Sequence, residues 1–324
     1  MRIKKNRINI RHLFFPLLVL CVVQFSFGCN QAPGGKPAKS KKAGTNIEET
    51  GANVLKLSSE NSITNDYSFR FYTSEIGSIE AGYDAFEILH KGERVYYEAG
   101  RRYSVKTAEN DDYAPVSGES LKIKDITGDG IPELIIGVWS GGAHCCFSTI
   151  IFSLGEEFKK IAEIDGGDTS FDFNNFEGDG IYELVGRDWT FAYWKTSFVN
   201  SPAPQIILRY MNGKYIIASD LMRKQSPSQK EIEANLAEIK EKFARPGGSI
   251  RPDPTESLDD EVPPELWGDM LDLIYTGNGK TAIDFFNKAW PDHKKGKEEF
   301  LAAFKMQLSK SKYWQEIKVF SRWE

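Results

Sequence analysis

The chain has 324 residues, of which 40% are apolar and 27% charged, and its formal net charge is −5. This is the composition of a globular protein with a sizeable core, divided into one large or two ordinary domains. The acidic balance, with no basic patch interleaved with aromatic residues, excludes nucleic acid as an expected partner.

The first 28 residues have the pattern of an export signal. Five basic residues lie between Arg2 and Arg11, and an apolar run extends from Leu13 to Phe27. A run of about fifteen residues is short for a bilayer, which needs about twenty, so a retained transmembrane anchor is the weaker alternative. Residues 1–28 are therefore predicted to be a signal peptide.

The end of this run, Ser26-Phe27-Gly28-Cys29, resembles the lipobox of bacterial lipoproteins. The resemblance implies that Cys29 is acylated and tethers the chain to the cell envelope, and Asn30 favours the outer membrane. Ser26 and Gly28 also fit the small-x-small rule of ordinary signal peptidase. A soluble periplasmic or secreted protein therefore stays open as the alternative.

Residues 29–53 are rich in Gly, Pro, Lys, Ser and Thr and contain almost no apolar side chains. Such a segment cannot bury enough surface to fold, so it is predicted to be a flexible tether. Without the signal and the tether the remaining chain has a net charge near −12, which would repel nucleic acid.

Residues 54–221 alternate short runs of β-branched and aromatic residues with turn signals. His90-Lys91-Gly92-Glu93 separates two such runs, and Asn212-Gly213, a strong hairpin signal, separates another pair. No alternation of strands with helices is visible, so we expect a mostly antiparallel sheet.

Two acidic loops interrupt this β-rich region at an interval of fifty residues. Each loop has oxygen-bearing side chains at its first, third, fifth and ninth positions and a glycine at its sixth. Hard cations such as Ca²⁺ need six to eight oxygen ligands, and the glycine allows the chain to bend around them. The first loop extends from Asp125 to Glu133, and the second from Asn175 to Glu183.

The sequence Asp-x-Thr-Gly-Asp-Gly-Ile-Pro-Glu-Leu in the first loop resembles the FG-GAP or VCBS repeats of β-propellers and secreted bacterial proteins. In that family the loop binds Ca²⁺ between two strands, and Ile131 and Ile181 would contribute backbone carbonyls. The resemblance implies the ligands Asp125, Thr127, Asp129, Ile131 and Glu133 for the first loop, and Asn175, Glu177, Asp179, Ile181 and Glu183 for the second.

Two copies are too few for a propeller, because each blade takes about 40–50 residues and several blades are needed. We therefore expect an α+β protein whose antiparallel β domain is a compact sheet or an incomplete propeller-like set.

In the alternative interpretation of the loops, the acids cap backbone amides in Asp-Gly turns and bind nothing. Because the motif occurs twice, we favour Ca²⁺ binding by the loops, with the ion in a structural role.

Cys145 and Cys146 are adjacent, and they follow His144 and a pair of glycines. In an exported protein, with Cys29 acylated and Cys21 removed with the signal, they have only each other as disulfide partners. A vicinal disulfide is the favoured prediction. Two reduced buried thiols, or a soft-metal or redox site including His144, are the alternatives.

Residues 222–324 change to a helical period. Ser228-x-x-Glu231 is a capping-box pattern at the start of the first helix, and Pro264, Gly277 and Pro291 mark later boundaries. The aromatic stripes of these helices are expected to form a core against the sheet, with a partner-binding groove as the rival interpretation.

Functionally, the sequence contains none of the common hydrolase, metalloprotease or phosphate-binding motifs. We therefore expect a non-enzymatic, envelope-anchored binding or scaffold protein with structural Ca²⁺ loops. Its partners would be the membrane, through the lipid, and an envelope protein or glycan. The alternative is an envelope enzyme, either a hydrolase or a thiol-redox protein that uses Cys145 and Cys146.

Overall fold

The structure is a computed structural model that describes residues 55–74, 84–106, 123–142, 146–244 and 262–323. The predicted signal peptide, the lipidation site Cys29 and the whole predicted tether lie outside these ranges. Among the described residues, no helix combines the length and the apolar character needed to cross a membrane.

The described part of the chain forms two antiparallel sheets followed by helices, which confirms the predicted α+β class. The first sheet has the strand order β1 to β7, and the second has the order β11-β10-β9-β8. Neither sheet closes into a barrel or a propeller. The strands are β1 Leu55–Ser62, β2 Tyr67–Ser74, β3 Asp84–His90, β4 Glu93–Lys106, β5 Glu133–Trp139, β6 Phe147–Leu154, β7 Phe158–Gly167, β8 Asp172–Asn174, β9 Glu183–Arg187, β10 Gln205–Met211 and β11 Lys214–Ile217.

The first sheet bends in the middle of β4. The first part of this 14-residue strand pairs with β3 and its last part pairs with β5. Near the end of the part paired with β3, Gly100 is the extra residue of a bulge between Ala99 and Arg101, and its φ is +93°, a conformation that costs little only for glycine. The bend brings the two halves of the sheet around a shared core, in which the rings of Phe86 and Phe152 are 6.3 Å apart.

Strand β5 connects this core with a second one. Leu134 and Ile136 belong to the core of the first sheet, whereas Ile135, on the opposite face, pairs with Ile151 and packs with the second sheet and the helices. Successive side chains of a strand point to opposite faces, so a strand covered on both sides is apolar throughout. This explains the continuous run Leu134–Val138, which is buried along its whole length.

Both hairpins predicted from turn residues are present. Lys91 and Gly92 have φ values of 54° and 80°, and Asn212 and Gly213 have φ values of 52° and 81°. Positive φ at both central residues is typical of the type I′ turn, whose twist matches that of the flanking strands. Turn chemistry therefore sets the register of β3 with β4 and of β10 with β11.

Two of the helices begin where the sequence predicts, one directly after Ser228 and one at Pro264. The side chain of Glu231 accepts hydrogen bonds from the amide and the hydroxyl of Ser228, both at 2.7 Å, which is the capping box at the start of α2. A short 3₁₀ turn at Phe198–Asn200 precedes β10. The α-helices are α1 Ser219–Met222, α2 Gln229–Ala244, α3 Pro264–Tyr275, α4 Gly279–Ala289, α5 Lys297–Leu308 and α6 Trp314–Ser321.

The helices share one apolar core with the second sheet. Trp267 of α3 is fully buried, and the rings of Trp194 and Phe300 lie 5.4 Å and 5.9 Å from it. The aromatic stripes are therefore core positions, as expected. Immediately before the first acidic loop, the described residues form only a single antiparallel bridge, between Lys124 and Glu133.

Candidate metal centre

The first acidic loop is shaped by hydrogen bonds from its own backbone to Asp125. One carboxylate oxygen of Asp125 accepts from the amides of Thr127 and Gly128 at 3.2 and 2.7 Å, and the other accepts from Gly130 at 2.8 Å. Gly128 and Gly130 both have positive φ, at 78° and 84°. These glycines allow the chain to wrap around a carboxylate. Since a carboxylate offers about four lone-pair sites, Asp125 keeps acceptor capacity for a cation.

Glu133 is the buried wall of the loop. It is the first residue of β5 and is 1% exposed. Its Oε2 accepts a hydrogen bond from the amide of Ile126 at 2.8 Å, and its Oε1 lies 3.4 Å from the hydroxyl of Thr127. The buried first residue of β5 thus holds one end of the loop, and the hydroxyl of the predicted ligand Thr127 lies beside the carboxylate of this residue.

Three carboxylates meet in this loop. One oxygen each of Asp125, Asp129 and Glu133 lies within 4.8 Å of the others, and Asp129 is the exposed member. Asp129 also accepts from the amide of Ile131 at 2.8 Å. Among the described residues, no basic side chain lies within ion-pair distance of the three acids. Such a set of hard oxygen donors around an uncompensated negative charge fits a divalent cation such as Ca²⁺.

The excess of negative charge in the loop affects the pKa values of the groups in and around it. The pKa of Glu133 is raised to about 7, mainly by burial and in addition by the charges of Asp129 and Asp125, against the opposing effect of the hydrogen bonds from the backbone. At 4.8 Å each pair of like charges repels by roughly 1–3 kcal/mol, depending on exposure. Burial, followed by the charge of Glu133, also raises the pKa of Tyr215.

The second acidic loop repeats the turn but not the charge balance. Asp179 accepts from the amide of Ile181 at 2.9 Å, as Asp129 does from Ile131 in the first loop. Glu183, the counterpart of Glu133, is 3% exposed and begins β9. However, its Oε1 lies 2.9 Å from the Nε of Arg209, so this buried carboxylate forms an ion pair.

The other predicted ligands of the second loop are more dispersed. Glu177 is more than half exposed and lies 3.6 Å from Arg209, and the side-chain oxygen of Asn175 is buried without a hydrogen-bond partner among the described residues. Within the described ranges, the first loop alone brings three acidic side chains within 4.8 Å of one another.

The two loops contact each other, which the sequence did not indicate. The amide of Tyr182 donates to the carbonyl of Ile126 at 2.9 Å, and Lys124 donates to the hydroxyl of Tyr182 at 2.6 Å. Gly128 lies against Ile181, whose side chain would be 2.8 Å from any Cβ at that position. The loops therefore connect the first sheet to the second.

The cysteine pair is described only in part. Cys146 is exposed at the start of the segment leading into β6, whereas His144 and Cys145 lie outside the described residues. The vicinal disulfide thus stays a prediction. Nearby, the indole nitrogen of Trp139 donates to the carbonyl of Gly142 at 3.1 Å, which orders the start of this turn.

Another buried carboxylate, that of Asp188, anchors the helices to the end of β9. It is 5% exposed and accepts hydrogen bonds from the hydroxyl of Tyr275 at 2.6 Å, from the hydroxyl of Ser311, and from the amide and hydroxyl of Thr190 at 2.9 and 2.5 Å. All its oxygens are engaged, which is the arrangement of a structural anchor. Sequence reasoning missed it, because Asp188 follows a strand with no motif around it.

A cleft of about 290 Å³ lies among α1, α2, α3 and α4, and Asp269 and Asp272 contribute to its lining. The pKa of Asp269 is raised to about 6, mainly by burial and in addition by the charges of Asp272, Glu238 and Glu265. The lining of the cleft thus combines these acids with apolar side chains such as Met222 and Phe285.

Comparison with known proteins gives two partial matches. The chain is 29% identical over 113 residues to a probable thylakoid lumen protein of Synechocystis sp., and the matched segment covers 33% of this chain and 32% of that protein. It is 34% identical over 89 residues to an uncharacterised protein of Sinorhizobium fredii, and the matched segment covers 26% of this chain and 14% of that protein. The matches thus span a third or less of each relative. No protein-family model matches the chain, and no solved structure does.

Proposed function

We propose that this chain is an exported, non-enzymatic binding or scaffold protein of the cell envelope whose first acidic loop binds a structural Ca²⁺ ion. The observation that carries the proposal is the convergence of Asp125, Asp129 and Glu133 within 4.8 Å around the buried start of β5. A cation there would neutralise charge that the described residues leave uncompensated.

The donor set favours Ca²⁺ over other divalent ions. All three side chains offer carboxylate oxygens, whereas Zn²⁺ and softer metals prefer nitrogen or sulfur ligands. Mg²⁺ demands near-ideal octahedral geometry and keeps several waters, but Ca²⁺ accepts six to eight oxygens in irregular arrangements. A loop of alternating inward side chains suits the larger and more tolerant ion.

The position of the loop supports a structural role for the ion. Asp125 precedes strand β5 and Glu133 begins it, so an ion between them would hold the entry to the strand that joins the two cores. The same loop contacts the second sheet through Ile126 and Tyr182. Ca²⁺ would therefore stabilise the arrangement of both sheets.

Export is supported by the predicted signal over residues 1–28 and by the name of the partial relative, a probable thylakoid lumen protein, since a lumen is reached by transport across a membrane. We further propose that Cys29 carries the lipid and that the protein resides at the outer membrane. The partner would be another envelope protein or a glycan.

Thermal unfolding of the mature chain tests the calcium proposal. We expect millimolar Ca²⁺ to raise the melting temperature relative to a chelator, because a ligand present at about 100 times its Kd stabilises the native state by about 2.7 kcal/mol. Asp129→Asn should remove this gain, whereas the matched variant Asp179→Asn in the second loop should keep it. Identical melting curves of the wild type with Ca²⁺ and with chelator would contradict the proposal.

Fractionation of cells tests the anchoring. The wild-type chain should sediment with membranes and incorporate a labelled fatty acid, and Cys29→Ser should be released into the soluble envelope fraction without label. A Cys29→Ser protein that stays in membranes would argue for a retained apolar anchor instead.

A further inference from the structure

We propose that Arg209 acts as a built-in cation of the second acidic loop and thereby restricts tight Ca²⁺ binding to the first loop. The assignment of the first loop as a Ca²⁺ site rests on the proposed function, but the role of Arg209 in the second loop stands on separate contacts.

The guanidinium of Arg209 lies among three acidic side chains. Its Nε is 2.9 Å from Glu183, its Nη1 is 3.0 Å from Asp220, and its Nη2 is 3.6 Å from Glu177. Glu177 and Glu183 are two of the ligands expected for a metal in this loop. A planar guanidinium with several fixed donors is suited to such a position, since it bridges carboxylates and stays charged at every physiological pH.

Strand register explains why the two loops differ. In the first sheet, Glu133 of β5 is paired with Ser153 of β6. In the second sheet, Leu184 of β9 is paired with Leu208 of β10, so the next pair in the same antiparallel register is Glu183 with Arg209. Directly opposite residues share a face of the sheet. The position opposite the buried glutamate therefore holds a neutral hydroxyl in the first loop and a positive charge in the second.

Two buried acceptor atoms show that the second loop retains unused oxygen ligands. Glu183 is 3% exposed, and its Oε2 has no hydrogen-bond partner among the described residues. The same holds for the side-chain oxygen of Asn175, the first residue of the loop. Both atoms accept and do not donate, so a cation would satisfy them.

Arg209 would oppose Ca²⁺ in two ways. An incoming ion would have to separate Glu183 from the guanidinium, and it would meet the like charge of any arginine that stayed nearby. Removal of the guanidinium would leave Asn175, Glu177, Asp179 and Glu183 without this competitor. The second loop would then resemble the first in its charge balance.

Counting bound Ca²⁺ tests the proposal. Equilibrium dialysis of the mature chain with radioactive Ca²⁺, up to about 1 mM free ion, should give one ion per wild-type chain and two per Arg209→Ser chain. Arg209→Lys, which keeps the charge, should stay at one. Ser153→Arg, the reciprocal change, should reduce the first loop to zero. Arg209→Gln carries the same expectation as Arg209→Ser if the serine variant does not fold.

The combination with Asp129→Asn separates this proposal from the proposed function. The double variant with Arg209→Ser should bind one ion, in the second loop. If the wild type binds none and Arg209→Ser binds one, the first-loop assignment fails and the role of Arg209 stands. The role of Arg209 is overturned if a folded Arg209→Ser or Arg209→Gln chain binds no more ions than the wild type. It is also overturned if the wild type binds two ions and Asp179→Asn removes one.

Discussion

Replacing Glu133 by glutamine should change the stability of the protein in opposite directions with and without Ca²⁺. Glu133 is almost fully buried beside two other acids, and its pKa is raised to about 7. Because the folded-state pKa lies above the unfolded value, its contribution to stability is complete below about pH 4.5 and is lost as the pH rises towards 7. Above pH 7, without a cation, the ionised carboxylate therefore destabilises the fold.

The size of the effect follows from the pKa shift. A rise from 4.5 to about 7 corresponds to about 3 kcal/mol at higher pH, since each unit is worth about 1.4 kcal/mol. Glutamine removes the charge and keeps an oxygen for the amide of Ile126, now 2.8 Å from Glu133, although a neutral acceptor is weaker. We expect a net gain of about 1–3 kcal/mol without metal.

Calorimetry at about pH 8 measures both directions. In chelator, Glu133→Gln should melt above the wild type by about 2–4 °C for each kcal/mol gained. In Ca²⁺ the wild type should gain stability and the variant should not. Glu183→Gln is the matched control, and it should lower stability in both buffers because it weakens the pair with Arg209. A Glu133→Gln protein that melts below the wild type in chelator would refute the electrostatic reasoning.

Three further predictions concern the packing of the loops, the anchor of the helices and the charge in the cleft. Gly128→Ala should lower the free energy of unfolding, measured by chemical denaturation, by about 2–4 kcal/mol, since the new Cβ would lie 2.8 Å from Ile181 at a φ of +78°. Gly130 has a similar φ but lies in open space, so Gly130→Ala should lower it by only about 1 kcal/mol. Equal costs would exclude close packing of the loops. Asp188→Ala should cost about 3–5 kcal/mol in the same assay, because it leaves buried hydroxyls unpaired, and a change below about 1 kcal/mol would contradict the anchor role. Asp269→Asn should stabilise the protein by about 1–2 kcal/mol above pH 6 and have little effect near pH 4. The reason is that the pKa of Asp269 is raised to about 6, so its stabilising contribution is lost as the pH rises. A gain in stability that does not depend on pH would contradict this prediction.

Local signals in the sequence predicted much of the fold. The Asn212-Gly213 turn and the Ser228 to Glu231 capping box depend on residues close together in the chain, and both are present. The antiparallel arrangement followed from the absence of strand-helix alternation. The bend at Gly100 was not predicted, because a glycine within a strand pattern is compatible with either a bulge or a regular strand.

The candidate site was predicted at the level of single loops but not of their environment. Asp125, Asp129 and Glu133 fall within nine residues, so loop spacing alone indicated that they could share an ion. Arg209 lies 26 residues after Glu183, and only the register of β9 with β10 brings the two together. The contact between Ile126 and Tyr182 likewise depends on how the two sheets pack, for which the sequence carries no local signal.

The contrast between the loops gives the repeated motif a physical interpretation. Both loops keep the turn in which an aspartate accepts from the amide two residues later, at 2.8 and 2.9 Å. They differ in what neutralises the buried glutamate. An ion would do so for Glu133, and a guanidinium does so for Glu183. On the proposed assignment, the motif encodes a loop shape, and the cross-strand neighbour would determine whether that shape needs a metal.

The most direct test of the Ca²⁺ assignment is a crystal structure of the mature chain grown with Ca²⁺ and measured for anomalous scattering. We predict a peak in the first loop with oxygens of Asp125, Asp129 and Glu133 at about 2.3–2.6 Å, and no equivalent peak beside Arg209. A first loop without an anomalous peak at millimolar Ca²⁺, in an otherwise ordered structure, would contradict the assignment of this loop as a Ca²⁺ site.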